Sequence, residues 1–244
     1  MSTEEDIPVI IDGKPYPNIT KNPLHVICST AYVLGIFLGL GCGLFNYVNF
    51  KNFNVYIIAM AVFHYLEYYI TALYNPGKVN SESFLINNGK TYAFAHIFAT
   101  SEYAIEFYLY REWKSTRYNG FHMLVVAFGI ILILFGQYVR SKAMITAGQS
   151  FSHEVKTTRN SDHKLVKSGL YSWSRHPSYL GYFWWALGTQ ALLLNPVSFV
   201  LYIFLLWRFF SKRIQFEEHY LMRFFGAEYA SYKKAVGVGI PFIK

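Results

Sequence analysis

The residues best suited to chemistry in this 244-residue chain lie in one stretch, His163–Trp185 (HKLVKSGLYSWSRHPSYLGYFWW), and at a second point, Arg213 with Glu217. The stretch begins polar and basic, with His163, Lys164, Lys167, Ser168 and Arg175, and from Tyr179 it runs without charge for many residues. At the join, Arg175-His176-Pro177 sets a guanidinium and an imidazole at the edge of an apolar phase. Pro177 pushes His176 out of the helical region and suits the first turn of a following helix. A fixed cation beside lipid is costly unless it has an anion to hold. The join therefore predicts a site for a ligand that is part anionic and part greasy. Arg213 and Glu217 stand one helical turn apart. Arg213 can offer a bidentate fork to a carboxylate or phosphate. The plainer alternative is that Arg213, next to Lys212, marks the membrane border and that Glu217 is its i,i+4 partner.

The elements that must position these groups are helices in a membrane. The chain is 53% apolar and 15% charged, against roughly a quarter charged in soluble domains. Its first 20 residues are polar and acidic, with no short cleavable signal peptide. Insertion would therefore use the first span. Of the 22 Lys and Arg, 14 lie from Arg140 onward. Basic loops facing the cytosol explain that excess without any nucleic-acid partner. Cys28 and Cys42 have neither CxxC spacing nor histidine neighbours at metal spacing, so neither a disulfide framework nor a zinc site is indicated.

Apolar runs long enough to span about 20 residues predict an all-α integral membrane protein in three parts. Residues 1–23 form a disordered or surface tail. Residues 24–138 hold four spans: Leu24 to about Val48, Phe53–Tyr74, a weaker Thr91–Tyr110, and Gly120–Tyr138. Residues 139–244 form the catalytic region: a polar segment Arg140–Ser178, a hairpin over 179–210 broken at Asn195-Pro196, and a basic amphipathic tail from Ser211. Six spans put both termini on one side, with the basic Arg140–Ser178 segment in the cytosol. The loop holding Arg111, Lys114 and Arg117 would then be lumenal, against the usual charge bias. Gly35, Gly39 and Gly43 share a helix face and predict close packing, within the chain or between two chains of a homodimer. Glu102 and Glu106 share a face of the third span, where pairing with His64 or His96 would satisfy them.

The stretch from His163 to Gly181, followed by the hairpin and Glu217-Glu218, resembles the protein-S-isoprenylcysteine O-methyltransferase family, close to its fungal members. The likeness extends to Asn22-Pro23-Leu24-His25, Phe63–Tyr69, Ser81–Leu85 and Gly239–Ile243, and so covers nearly the whole chain. It implies an endoplasmic-reticulum enzyme that moves a methyl group from S-adenosylmethionine to the C-terminal carboxylate of a farnesyl- or geranylgeranyl-cysteine. Its partners would be prenylated CaaX proteins, Ras-like or a-factor-like. The family's cofactor positions fall on Lys156, His163, Lys164, Leu165, Val166, Tyr171, His176, Pro177, Ser178, Tyr179 and Glu217. Its substrate arginine falls on Arg213, and Arg175 matches the signature arginine.

The chemistry agrees with the residues. A prenylcysteine carboxylate, with a pKa of about 3.5, is already ionised at neutral pH. No general base is needed, so the absence of a Ser-His-Asp or Cys-His set is expected. Arg213 should orient the carboxylate loosely or from one side, since a tight bidentate pair would blunt its nucleophilicity. The RHPxYxG signature is shared with membrane sterol reductases and lipid methyltransferases. A reductase using NADPH and a phospholipid N-methyltransferase are therefore the alternatives, with a non-enzymatic prenyl-protein adaptor behind them.

Overall fold

The computed structural model describes residues 9–18, 22–45, 51–115, 119–159 and 163–244. A short hairpin, β1 (Val9–Ile11) and β2 (Lys14–Tyr16), precedes seven helices. These are α1 (Leu24–Gly43), α2 (Lys51–Tyr74), α3 (Lys90–Leu109), α4 (Gly120–Ala147), α5 (Pro177–Leu192), α6 (Pro196–Phe225) and α7 (Ala227–Ala235). The hairpin is an exposed element within the segment expected to be a disordered or surface tail. Ile11 pairs with Lys14 across Asp12-Gly13, both at positive φ, as a tight two-residue turn demands.

Local chemistry sets the helix limits. Asn75-Pro76 closes α2, and the Asn119 side chain accepts the His122 N–H at 2.8 Å to cap α4. Pro177 and Pro196 open α5 and α6 at their first turns. Gly226 (φ 51°) ends α6. Two helices run further than the apolar pattern predicts. α4 continues past Tyr138 to Ala147, so Arg140 is a helix residue and not the start of a polar loop. α6 continues past Phe210 to Phe225, so the expected amphipathic tail is largely the distal half of one 30-residue helix. Polar residues do not end a helix whose far turns are held by tertiary contacts.

α1, α2 and α4 are long and apolar enough to cross a membrane. Large apolar side chains face outward on α1, α4 and α6, among them Phe37, Ile131, Leu134, Val200 and Phe204. That is the pattern of a lipid-facing surface.

The tightest contact joins α4 and α5. Gly129 and Gly136 on α4, seven apart, meet Gly181 and Gly188 on α5, also seven apart. A Cβ on Gly136 would sit 2.5 Å from the Gly181 carbonyl, and one on Gly181 would sit 2.6 Å from the Arg140 nitrogen. Four hydrogens in place of four side chains let two backbones touch. Gly35, Gly39 and Gly43 behave differently. Among the described residues nothing lies within 4 Å of where their Cβ atoms would be, so they pack against no other described helix. Gly41, off that stripe, is the α1 glycine that meets α2, at Ile58 and Asn54.

Buried charges tie the helices at both ends. At one end Glu67 of α2, 1% exposed, accepts two hydrogen bonds from Arg140. At the other end Glu102 caps α6, accepting from the Val197 N–H (2.8 Å) and Ser198 N–H (2.6 Å). Glu106 pairs with Lys114, whose ammonium also donates to the carbonyls of Leu193 and Leu194 and to Asn195 Oδ1. Burial pulls the Lys114 pKa down, against the pull of Glu106. The glutamates thus pair with a helix start and a lysine, and not with His64 or His96. Those histidines bond Tyr92 and Tyr56 instead. Lys114 is a buried staple, which removes it from the count of loop charges; Arg117 lies outside the described residues.

The two glycine sets should respond oppositely to alanine. Gly136→Ala should lower the melting temperature in detergent, with a cost at the upper end of the roughly 1–3 kcal/mol typical of overpacking. Gly39→Ala should leave it unchanged or raise it, since alanine is the better helix former by about 1 kcal/mol.

Candidate active site

The site is built where α4, α5 and α6 emerge together at the Glu67 end. α4 ends at Gly148 (φ 50°), and the chain then crosses the bundle through Phe151, Ser152 and His153. Asn75 Nδ2 donates to the Phe151 carbonyl at 2.8 Å, and Lys78 donates to the Gln149 carbonyl. The crossing segment is therefore pinned to the end of α2.

Two cavities lie on either side of it. The first, about 90 Å³, is lined by His163, Lys164, Leu165 and Val166, by Tyr171, by Arg175, His176, Ser178 and Tyr179, and by Glu217 from α6. Phe151, Ser152, Leu221, Phe225, Tyr229 and Tyr232 line it too. The second, about 60 Å³, is lined by Leu85, Asn88, Arg140, His153, Tyr182, Phe209, Phe210 and Arg213. Phe151, Ser152 and Tyr179 face both. A lateral groove of about 770 Å³ along α6, with Phe204, Leu205, Phe209 and Phe216, shares Phe209 and Arg213 with the second cavity. Arg208 and Lys212 stand on the same groove.

Tyr179 is the hinge between the cavities. Its hydroxyl donates to Glu217 Oε2 at 2.5 Å and accepts from Arg213 Nε at 2.8 Å. Its ring stacks on His176 and lies under the Arg213 guanidinium. Arg213 also donates through Nη2 to the His153 carbonyl. Arg213 and Glu217 are thus joined through Tyr179, and Arg213 opens to the second cavity while Glu217 opens to the first.

Comparison with known proteins decides the family. A model of the isoprenylcysteine carboxyl methyltransferase (ICMT) family matches residues 129–223. The protein-S-isoprenylcysteine O-methyltransferase of Saccharomyces cerevisiae is 60% identical over 95% of this chain and 97% of its own length. The chain belongs to the isoprenylcysteine carboxyl methyltransferase family. The Homo sapiens protein of the same name is 39% identical over 92% of this chain and 77% of its own length. The solved structure of the eukaryotic intramembrane Ras methyltransferase ICMT without a monobody superposes with a TM-score of 0.84, at 38% identity, covering 89% of this chain and 77% of that one.

Nine of the eleven expected cofactor positions of this ICMT-family chain converge on the first cavity. Lys156 and Pro177 do not line it. Pro177 is buried as the first residue of α5, where its role is to start the helix. Arg175 lines the cavity, but two of its three guanidinium nitrogens are committed elsewhere. Nε donates to Glu218 at 2.8 Å and Nη1 to the Val236 and Lys233 carbonyls. Its own N–H donates to the Gly237 carbonyl at 2.9 Å. It clamps the C-terminal segment onto the signature rather than facing the second cavity.

Phe151 and His153 line the second cavity with no signature in the sequence. Leu85 and Tyr182 lie in stretches covered by the resemblance, but nothing in the sequence brings them to one cavity. The legible hint was an ionisable residue in a span: Glu67 needed a partner, and a basic residue in a distant stretch, Arg140, met it.

Electrostatics outside the spans follow the burial. Burial raises the Tyr171 pKa above its ordinary value, aided by the Glu217 charge, and pushes Tyr232 up to about 12. Both stay protonated, and Tyr232 donates to the Tyr171 carbonyl. Burial opposes ionisation of Glu218. Hydrogen bonds from His176, Lys233 and Arg175 prevail, and its pKa falls well below the usual carboxylate range. A depressed carboxylate pKa adds stability that is complete above the unfolded value, near 4.5, and is lost as pH falls below it. Melting scans against pH should show wild-type stability falling on acidification below about pH 4.5. In Glu218→Gln that acid-side slope should flatten, and stability at pH 7 should drop by about 3–5 kcal/mol as Arg175 loses its buried partner.

Proposed function

We infer that this chain transfers a methyl group from S-adenosylmethionine to the C-terminal carboxylate of a prenylated cysteine. One observation carries the reading: a cavity lined by the cofactor positions abuts, across Tyr179, a cavity headed by Arg213 that continues into an apolar groove on α6. Its relatives are named for that reaction, and its substrates would be CaaX proteins carrying farnesyl or geranylgeranyl.

The first cavity suits the cofactor by its donor set. Glu217 offers an anion to an ammonium or to ribose hydroxyls, while Leu165, Val166, Leu221 and Phe225 offer apolar and aromatic faces to a purine. When bound, S-adenosylmethionine supplies an electrophilic methyl group on a cationic sulfur. Everything else falls to the chain. Arg213 orients the carboxylate, and with Nε on Tyr179 and Nη2 on His153 it presents one edge, which grips without enclosing. Opposite charges are neutralised as the methyl moves, so a dry, pre-aligned site favours transfer. Phe151, Tyr182, Phe209 and Phe210 keep it dry. The prenyl chain lies along Phe204, Leu205 and Phe216, each buried CH₂ contributing about 0.8 kcal/mol.

The orientation is part of the same proposal. Six helices, α1 to α6, cross the endoplasmic-reticulum membrane with the Glu67 end at the cytosol. α5, at 16 residues, is about 24 Å long and begins below the surface. This places the methyl donor at an aqueous edge and the prenyl chain in lipid.

Membranes holding the protein, given methyl-labelled S-adenosylmethionine and N-acetyl-S-farnesylcysteine, should form label released as methanol by base. Arg213→Ala should cut kcat/KM for the acceptor at least about tenfold, the loss of a charged hydrogen bond. Absence of base-labile label from a folded protein that binds the donor would point to another acceptor, such as a phospholipid amine. Protection by NADPH alone would support a reductase.

A further inference from the structure

We propose that His153 is a positioning residue for the acceptor: it sets Arg213 through its main chain and is itself set by Glu67 from inside the bundle. The inference rests on the carboxyl methyltransferase reading.

Glu67 has more to do than neutralise one arginine. Arg140 donates to both its oxygens, and the His153 Nε2–H donates to Oε2 at 2.9 Å. Arg140 uses its remaining arm, Nη1, on the Ser178 carbonyl at 3.2 Å, one residue before Tyr179. One carboxylate, 1% exposed, therefore fixes two segments of the site at once. Through Arg140 it holds the start of α5, and through His153 it holds the crossing segment. Both lines end on Arg213. The His153 carbonyl accepts from Nη2, and Tyr179, next to the held carbonyl, accepts from Nε.

The division of labour follows from geometry. His153 lines the second cavity and not the first. Loosening it frees one arm of Arg213 and leaves Glu217 on Tyr179. The acceptor side should suffer and the donor side should not. A residue that merely packs the core would disturb both, because Phe151, two residues earlier, faces both cavities.

The test compares three variants of the full-length protein in the labelled methyl-transfer assay, with donor binding measured separately by thermal shift. His153→Ala removes the side chain. His153→Phe keeps a ring but loses the N–H. His153→Gln can still donate to Glu67. Alanine and phenylalanine should lower kcat/KM for N-acetyl-S-farnesylcysteine on the order of tenfold, as expected for a lost hydrogen bond to a charged group. S-Adenosylmethionine affinity should stay within about twofold, and glutamine should recover most of the acceptor loss. Equal losses on both sides, or no loss in the phenylalanine variant, would overturn the proposal. If alanine fails to fold, the phenylalanine–glutamine contrast decides it alone. Failure of the wild-type protein to methylate the acceptor would instead refute the parent reading, so the two failures are separable.

Discussion

A guanidinium buried among packed helices has to be neutralised where it stands, and in this chain the Glu67 carboxylate does it for Arg140. Both groups are almost wholly buried, and removing either would leave a lone charge in apolar surroundings. The pair fixes α2 against α4. Because Arg140 also reaches the Ser178 carbonyl and Glu67 also reaches His153, it fixes the start of α5 and the crossing segment as well. The site is assembled on that pair.

Arg140 reaches the Ser178 carbonyl because α4 and α5 lie in backbone contact. Gly181 stands against the Arg140 nitrogen, and a side chain there would push α5 away from the arginine that holds it. Close packing and buried charge are therefore one device. The glycines bring two backbones together, and the arginine uses the short distance to reach a carbonyl on the far side. An apolar core could hold the helices equally well but would not aim Tyr179.

The same economy explains the two signature carboxylates. Glu217 and Glu218 are adjacent, so on a helix they face about 100° apart. Glu217 turns to Tyr179 and the first cavity; Glu218 turns to Arg175, His176 and Lys233 and binds the C-terminal segment. One dipeptide thus contributes a cavity-facing group and a structural one. Arg175 and Arg213 divide in the same way, the first bonded to carbonyls of the C-terminal segment and the second lining the second cavity.

The sequence by itself determined the membrane character, the helix-opening prolines, the break at Asn195-Pro196 and most of the residues that gather around the first cavity. Each depends on local signals: apolar run length, Pro and Asn geometry, or a contiguous motif. The Asp12-Gly13 turn is a local signal too, but the hairpin it makes falls in a segment expected to be a disordered or surface tail. Tertiary structure alone decided what is relational. It extended α4 and α6 into polar sequence, because packing partners and not composition ended them. It matched Glu67 with Arg140 and His153, and Glu102 with the start of α6, across separations of 73 to 95 residues. It passed over the Gly35–Gly43 stripe and used Gly41 and the four glycines of α4 and α5, since spacing shows which residues share a face and not what lies opposite. Arg175 and Arg213 look alike in sequence, because a guanidinium acquires its role only from the acceptors that surround it.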